Sequence, residues 1–305
     1  MQPKLLIVLG PTGVGKSEVG IDVAMEVGGE IINADSQLVY RHMDIGTAKP
    51  SAFAREKVPH HLIDLVDPDG EFNAALYREA ALKAIQELAS RGKKAIVCGG
   101  TGLYLRALTQ GLFIGPGKDP EIRKRLEGEA EERGLSALYE RLRRVDPDAT
   151  RGIHPNDRYR IIRALEVFEL TGKGISLWQK EHGFKESPFE LLKIGLNRER
   201  QELYGLIDRR CDEMIAKGFV DEVRGLAERG YSLDLPALQS VGYRHIGLYL
   251  RGRLTLDEAA ALMKRDTRHL AKRQLTWFRG DKEIRWFHPE KEKSKILKSA
   301  KEFFS

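Results

Sequence analysis

Apolar residues are arranged along this chain in two rhythms, short unbroken runs and stripes at helical spacing. Leu5 to Leu9 is an uninterrupted apolar run, the pattern of a strand buried on both faces, and Glu18 to Val27 reads as a helix stopped by Gly28 and Gly29. Glu30 to Asn33 predicts a second strand that runs straight into Ala34-Asp35-Ser36-Gln37. Gln37 to Pro59 has no clean period and reads as a loop with short helical turns. His60 to Val66 predicts a third strand, ended by the turn residues Asp67-Pro68-Asp69-Gly70. From the N-cap candidate Asn73, the positions Leu76, Ala80, Ala84 and Leu88, with Ile85 beside them, predict a helix whose apolar face they form and which ends near Gly92. Lys94 to Cys98 is then a strand, followed by Gly99-Gly100-Thr101-Gly102 and an apolar helix start.

The rhythm changes after Gly111. Gly115-Pro116-Gly117 and Gly183 to Pro188 read as linkers, and from Asp119 to about Thr171 the chain is charged, helical in period and without strand-like runs. Leu191 to Leu196 resumes the strand pattern. Helices follow from Leu203 to Gly218, Phe219 to Glu228, Val241 to Leu250 and Leu256 to Phe278, with a last strand at Ile284 to Phe287 and a helix from Lys291 to Phe304. Strands alternating with helices predict an α/β fold with a parallel sheet flanked by helices. The expected division is a core of residues 1–115 and 188–305 and an inserted all-helical domain over 116–187.

Composition narrows the function classes. At 305 residues and 41% hydrophobic content the chain can build one large core and a smaller unit. Its two cysteines, Cys98 and Cys211, have no neighbouring Cys or His at ligand spacing, so a zinc site or disulfide framework is not expected. No apolar stretch has the length of a membrane span or a secretory signal, and a cytoplasmic protein is expected. The net charge of +6 suits a polyanionic partner but also many ordinary enzymes, so its location matters more. Arg141 to Arg163 holds seven arginines against three aspartates, which is either an RNA-facing stripe or a solvated helix face. Lys264 to Arg279 has six Lys/Arg and one Asp, with Trp277 and Phe278 at its end. Basic and aromatic side chains interleaved in this way suit a single-stranded nucleic acid, although a core role for the rings is an equal reading.

The chemistry-bearing stretch is Gly10 to Ser17, GPTGVGKS, which fits G-x-x-x-x-G-K-[ST] directly after a strand. Its glycines let backbone N–H groups converge on a phosphate, Lys16 adds a point charge, and the following helix contributes its positive end. Such a loop binds a diphosphate, and ATP is its usual ligand. Asp35, at the end of the second strand, falls where a parallel sheet places groups beside the ligand, and Gly99 to Thr101 makes a second phosphate-approach loop. Two reaction classes stay open at this level. A kinase would transfer a γ-phosphoryl group, with Asp35 as magnesium ligand or base. Alternatively the diphosphate is itself the leaving group and a carbon chain is transferred, with Mg²⁺ on Ser17 and Lys16 on the diphosphate oxygens, Asp35 accepting a proton, and the basic surfaces holding a nucleic acid.

The stretches GPTGVGKS, INADSQLVYRHMDIGTAKP (Ile32 to Pro50), GGTGLYLRAL (Gly99 to Leu108), DRYRIIRALEV (Asp157 to Val167), SVGYRHI (Ser240 to Ile246) and AKRQLTWFR (Ala271 to Arg279), in that order, resemble the tRNA dimethylallyltransferase family. The resemblance implies a P-loop-kinase-like core with a channel, and transfer of a dimethylallyl group from dimethylallyl diphosphate to N6 of the adenosine on the 3′ side of the anticodon. It implies Gly10, Thr12, Gly13, Val14, Gly15, Lys16, Ser17 and Arg210 as the diphosphate site and Asp35 as base. Thr101 would approach the diphosphate oxygen where the allylic bond breaks. Asp35, Ser36, Gln37, Leu38, Thr101, Arg123, Tyr159, Arg160, Ile161, Ile162, Arg163, Arg244, Gln274, Trp277 and Arg279 would face the tRNA anticodon stem-loop, with the helical insertion as a clamp. A monomer with no membrane partner is expected. Rival readings are a P-loop small-molecule kinase and an isopentenyltransferase acting on free AMP.

Overall fold

The computed structural model describes residues 2–111, 117, 119–182 and 187–305. Six strands form one sheet: β1 (Lys4–Leu9), β2 (Gly29–Asn33), β3 (His60–His61), β4 (Lys94–Gly99), β5 (Glu190–Leu196) and β6 (Arg285–Phe287). Their order is β3-β2-β4-β1-β5-β6, and every pairing is parallel. β1 lies centrally with Leu5 to Leu9 all buried, which is why that run carries no polar residue. The register pairs Leu9 with Gly99 and with Gly195, and Asn33 with Cys98, so the carboxyl ends of β1, β2 and β4 finish at one level. In a parallel sheet that edge is where ligands bind. Here it brings together the segments that follow β1, β2 and β4.

The chain divides into two units, Met1–Thr109 with Ser187–Ser305, and Gln110–Glu186. Gly115, Pro116 and residues 183–186, read as linkers from the sequence, lie outside the described residues, as does the side chain of His182.

In the first unit two elements depart from the sequence pattern. The third strand is only His60–His61, with one further parallel bridge between Tyr40 and Val66. Leu62 and Asp64 have φ of 62° and 59°, a left-handed backbone that ends a strand. Asp64 is held in this turn by Lys49 at 2.5 Å and Arg55 at 3.0 Å, and the Leu62 carbonyl accepts from Asn33 Nδ2 at 3.0 Å. The helix Ala74–Ser90 starts at Asn73 as expected, its side chain accepting from the amides of Ala75 and Leu76. Its buried stripe, however, is Ala74, Tyr77, Ala81, Ala84, Ile85 and Leu88, while Leu76 is exposed. Tyr77 sets this rotation by stacking on Tyr104 with ring centroids 4.3 Å apart.

The second unit is all helical, with helices Pro120–Arg133, Leu135–Val145, Pro147–Thr150, Arg158–Thr171 and Ile175–His182. Leu126, Leu138, Leu142, Ile161, Ile162 and Leu165 make its core. Glu166 is fully buried there and is neutralised by Arg123 at 3.2 Å and Arg163 at 2.8 Å, with the Asp119 amide donating to its other oxygen at 2.9 Å. Other arginines of the stripe pair with acids of the same unit, Arg141 with Glu129 and Glu169, Arg143 with Glu140 and Arg158 with Glu131. Residues 110–186 carry fifteen Lys/Arg against fourteen Asp/Glu, so this unit is almost neutral as a whole. Among the described residues no helix is long and apolar enough to cross a membrane.

Candidate active site

The loop Gly10–Ser17 leaves β1 and enters the helix Lys16–Val27. Gly15 has φ of 104°, a conformation closed to side-chain-bearing residues, and this turn delivers the chain into the first helical residue. Among the described residues no protein acceptor is paired with the amides of Gly13, Val14, Gly15 or Lys16. A run of unsatisfied N–H groups at a helix start is an anion site by its own physics. Lys16 Nζ donates to the Pro11 carbonyl at 2.8 Å. Burial lowers the Lys16 pKa to about 8, an effect that Asp35 opposes and Arg210 reinforces. Behind the loop, burial pushes the Cys98 thiol up to about 11, so Cys98 acts as a small packing group.

Asp35 is placed by a local hydrogen-bonded turn. The side chain of the buried Asn33 accepts from the Asp35 amide at 2.9 Å and donates to the Asp35 carbonyl at 3.0 Å, and Asp35 Oδ1 accepts from the Gln37 amide at 2.9 Å. Thr101 is tied to the same turn. Its amide donates to the Ala34 carbonyl at 3.1 Å, and its Oγ1 accepts from the Ser36 amide at 3.0 Å. Gly99 permits that approach, because a Cβ there would overlap the Ala34 backbone. Arg210, on the helix Arg200–Ala216, has its pKa lowered by burial, with Asp35 opposing the shift.

These groups surround a channel of two lobes. One lobe, about 620 Å³, is walled by Gly15, Lys16, Ser17, Leu38, Lys49 and Arg209 among others. The second, about 380 Å³, is walled by Ser36, Gln37, Gly100, Thr101, Leu270 and Gln274 among others. Thr12, Gly13, Asp35, Thr47, Arg210 and Met214 border both. The phosphate loop thus opens on one side of Asp35, and a more apolar hollow with Ile207, Val241, Met263 and Leu270 opens on the other.

The IPP transferase family profile matches residues 38–281. The chain belongs to the IPP transferase family. It is 51% identical over 301 residues to the tRNA dimethylallyltransferase of Geobacter metallireducens, covering 99% of this chain and 97% of that one. It is 54% identical over 283 residues to that of Syntrophobacter fumaroxidans, covering 93% and 83%. The crystal structure of the full-length tRNA isopentenylpyrophosphate transferase from Bacillus halodurans superposes with a TM-score of 0.73 at 40% identity, over 98% of this chain and 96% of that one. A eukaryotic dimethylallyltransferase acting on tRNA gives 0.76 at 30% identity, over 90% and 70%.

Of the residues expected from the sequence of this family member, Thr12, Gly13, Gly15, Lys16, Ser17, Asp35, Leu38 and Arg210 border the first lobe, and Ser36, Gln37, Thr101 and Gln274 the second. Gly10 and Val14 line neither; Val14 is fully buried beneath the loop. Arg244, Trp277 and Arg279 lie outside both lobes. Arg244 is ion-paired to Asp266, whose carboxyl is held well below the usual range by Arg265 first and then by Arg244 and His245. Trp277 packs against Gly102, and Arg279 borders a separate hollow of about 340 Å³ with Arg200, Tyr204 and Lys272. In the helical unit Tyr159 and Arg160 are exposed, and the Arg123 guanidinium lies 5.5 Å from the Tyr159 ring centre. Ile161 and Ile162 require a correction: they are 0% and 4% exposed inside that unit's core, so their side chains hold helices together and are not an RNA surface.

Two supporting residues carry no signal in the sequence. Arg198 is buried behind the phosphate loop, where its Nε donates to the Val14 carbonyl at 3.1 Å while its other nitrogens meet Glu202 and Glu290. Glu222 accepts from the amides of Asp44, Ile45 and Gly46 at 2.9, 2.6 and 3.1 Å and from the Tyr243 hydroxyl at 2.6 Å, anchoring the loop that walls both lobes. Each looks like an ordinary surface charge until the partner backbone is folded against it.

Proposed function

We propose that this chain transfers a dimethylallyl group from dimethylallyl diphosphate to the exocyclic N6 of the adenine on the 3′ side of the tRNA anticodon, releasing pyrophosphate. One observation carries the reading: the lobe holding the phosphate loop meets a second, largely apolar lobe at Asp35, Arg210 and Met214. A diphosphate in the first lobe would direct its attached carbon chain past Met214 at the junction and toward Ile207 and Leu270 of the second lobe. A phosphoryl group has no use for those apolar walls, which is why the alkyl-transfer reading is preferred to a kinase.

The chemistry then assigns itself. As the adenine nitrogen forms its bond to the allylic carbon, the carbon–oxygen bond to the diphosphate breaks. Negative charge gathers on the departing oxygen, where the amides of residues 13–16, Lys16 and Arg210 offset it, and the Thr101 hydroxyl, whose oxygen accepts from the Ser36 amide, keeps its proton free to donate to the departing oxygen. The Asp35 carboxylate accepts the proton that N6 releases. A base reaches this depth only when taken out of its stack, and the second lobe has the size and the polar rim for a purine. Ser17, which lines the first lobe as Asp35 does, supplies a hydroxyl that, with diphosphate oxygens and water, suits Mg²⁺. The ion would lend further positive charge to the leaving diphosphate. The protein is proposed to act as a monomer in the cytoplasm.

Single-turnover transfer from labelled dimethylallyl diphosphate to a tRNA transcript tests the reading. Asp35→Ala is expected to bind the diphosphate as the native protein does while its chemical step slows by about 10²–10⁴. An unchanged rate removes Asp35 as base, and turnover of ATP with no allylic diphosphate would favour the kinase.

A further inference from the structure

Gln274 lies in the basic, aromatic stretch of the long helix Leu256–Phe278, where a role on the RNA was expected. Its amide is directed elsewhere. Oε1 accepts from the Thr12 amide of the phosphate loop at 2.8 Å, and Nε2 donates to the Gly100 carbonyl of the loop after β4 at 2.9 Å. Both contacts span more than 170 residues of sequence, and both use main-chain groups of the two loops. Gly100 is moulded to the contact, since a Cβ there would come within 2.6 Å of Gln274 Nε2 and 3.3 Å of the Gly10 carbonyl. One turn further on, Trp277 packs on Gly102 in the same way.

We propose that Gln274 is a positioning residue for the leaving diphosphate and not an RNA contact. Building on the alkyl-transfer reading, it sets the distance between the phosphate loop and Thr101, and so ties the helix that carries the basic surface to the diphosphate pocket. The physical reason is that one planar amide satisfies a donor on one loop and an acceptor on the other. No apolar or charged side chain of similar length does both. Taking the Thr12 amide also leaves the amides of Gly13 to Lys16 as the converging set, and fixing the Gly100 carbonyl fixes the residue that follows it, Thr101.

The test compares native protein, Gln274→Met and Gln274→Glu for two equilibria. One is binding of inorganic pyrophosphate with Mg²⁺ by calorimetry without RNA, and the other is binding of a tRNA transcript without diphosphate by filter retention. Gln274→Met loses both loop contacts and is expected to weaken pyrophosphate about tenfold with tRNA binding within about twofold of native. Gln274→Glu keeps an acceptor for Thr12, loses the donor to Gly100 and adds a negative charge beside the site, so it is expected to weaken pyrophosphate further still. Transfer assays on both variants should show KM for dimethylallyl diphosphate raised more than KM for tRNA. Loss of tRNA affinity with pyrophosphate binding intact, or no change in either, overturns the proposal. The wild-type transfer assay run alongside separates that result from a failure of the functional reading, because native protein that moves no dimethylallyl group onto tRNA would fail irrespective of Gln274.

Discussion

The loop between β2 and β3 walls both lobes of the channel, yet it has little regular structure of its own; Glu222 is what holds it. Its carboxylate collects the amides of Asp44, Ile45 and Gly46 and the Tyr243 hydroxyl, all at 2.6–3.1 Å. Beneath it Gly46 lies so close to the rings of Phe219 and Tyr243 that a Cβ would overlap them. In Glu222→Ala the Asp44 amide, which is exposed, recovers water and costs little. The amides of Ile45 and Gly46 and the Tyr243 hydroxyl are part-buried, and each lost partner costs about 1 kcal/mol. The sum, about 3 kcal/mol, is about a hundredfold in the local opening equilibrium. Amide hydrogen exchange read by mass spectrometry on peptides spanning residues 40–50 measures it directly, and the exchange of Ile45 and Gly46 should accelerate by about that factor. Glu222→Gln keeps one carbonyl oxygen but turns an NH₂ group toward the remaining donors, so about a tenfold acceleration is expected. Since Thr47 borders both lobes, KM for the diphosphate should rise with the opening. Exchange at these amides unchanged in Glu222→Ala would refute the assignment of Glu222 as the anchor.

Other consequences are open to simpler measurements. With its pKa lowered to about 8, Lys16 is half-deprotonated near that pH in the free protein, and an adjacent diphosphate restores the proton. Binding of a non-reactive allylic diphosphate analogue near pH 8 should therefore take up about half a proton, seen in calorimetry as a dependence on buffer ionisation heat, and affinity should fall as pH rises above that value. Lys16→Met should abolish the uptake. Arg198→Met removes the guanidinium that donates to the Val14 carbonyl. Because Glu202 and Glu290 are partly exposed and can rehydrate, a stability loss of about 1–2 kcal/mol is expected by denaturant titration, accompanied by weaker diphosphate binding. Gly99→Ala places a methyl group against the Ala34 backbone and must push β4 from the Asp35 turn, so transfer activity should fall more steeply than the melting temperature.

Much of the site was readable before any coordinates, because its parts are local. A phosphate loop is a contiguous stretch whose glycines, lysine and serine have to keep their spacing, and Asp35 and Gly99 to Thr101 follow directly from strands that an apolar run marks. The third strand misled because the ion pairs of Asp64 with Lys49 and Arg55, which end it after His61, come from residues outside the run. The helix Ala74–Ser90 misled because alanines on two sides offered two stripes, and only the stack of Tyr77 on Tyr104 selects between them. The arginine-rich stretch left an RNA-facing stripe and a solvated helix face both open because charge was counted along the segment alone. The carboxylates that pair with it, Glu129, Glu131, Glu166 and Glu169, lie before and after that segment.

The sequence by itself determined a parallel sheet with a phosphate-loop motif directly after its first strand, and a separate helical unit, since strand runs, glycine turns and a phosphate-loop motif are all written within a few residues. Tertiary structure alone decided that the loop opens on one side of Asp35 and an apolar lobe on the other. It also decided that Arg198, Glu222 and Gln274 support three loops, the phosphate loop, the one after β4 and the one between β2 and β3. Those three act through backbone groups more than 170 residues away, and a single side chain that recognises a distant N–H or C=O leaves no period, motif or composition for a sequence to display.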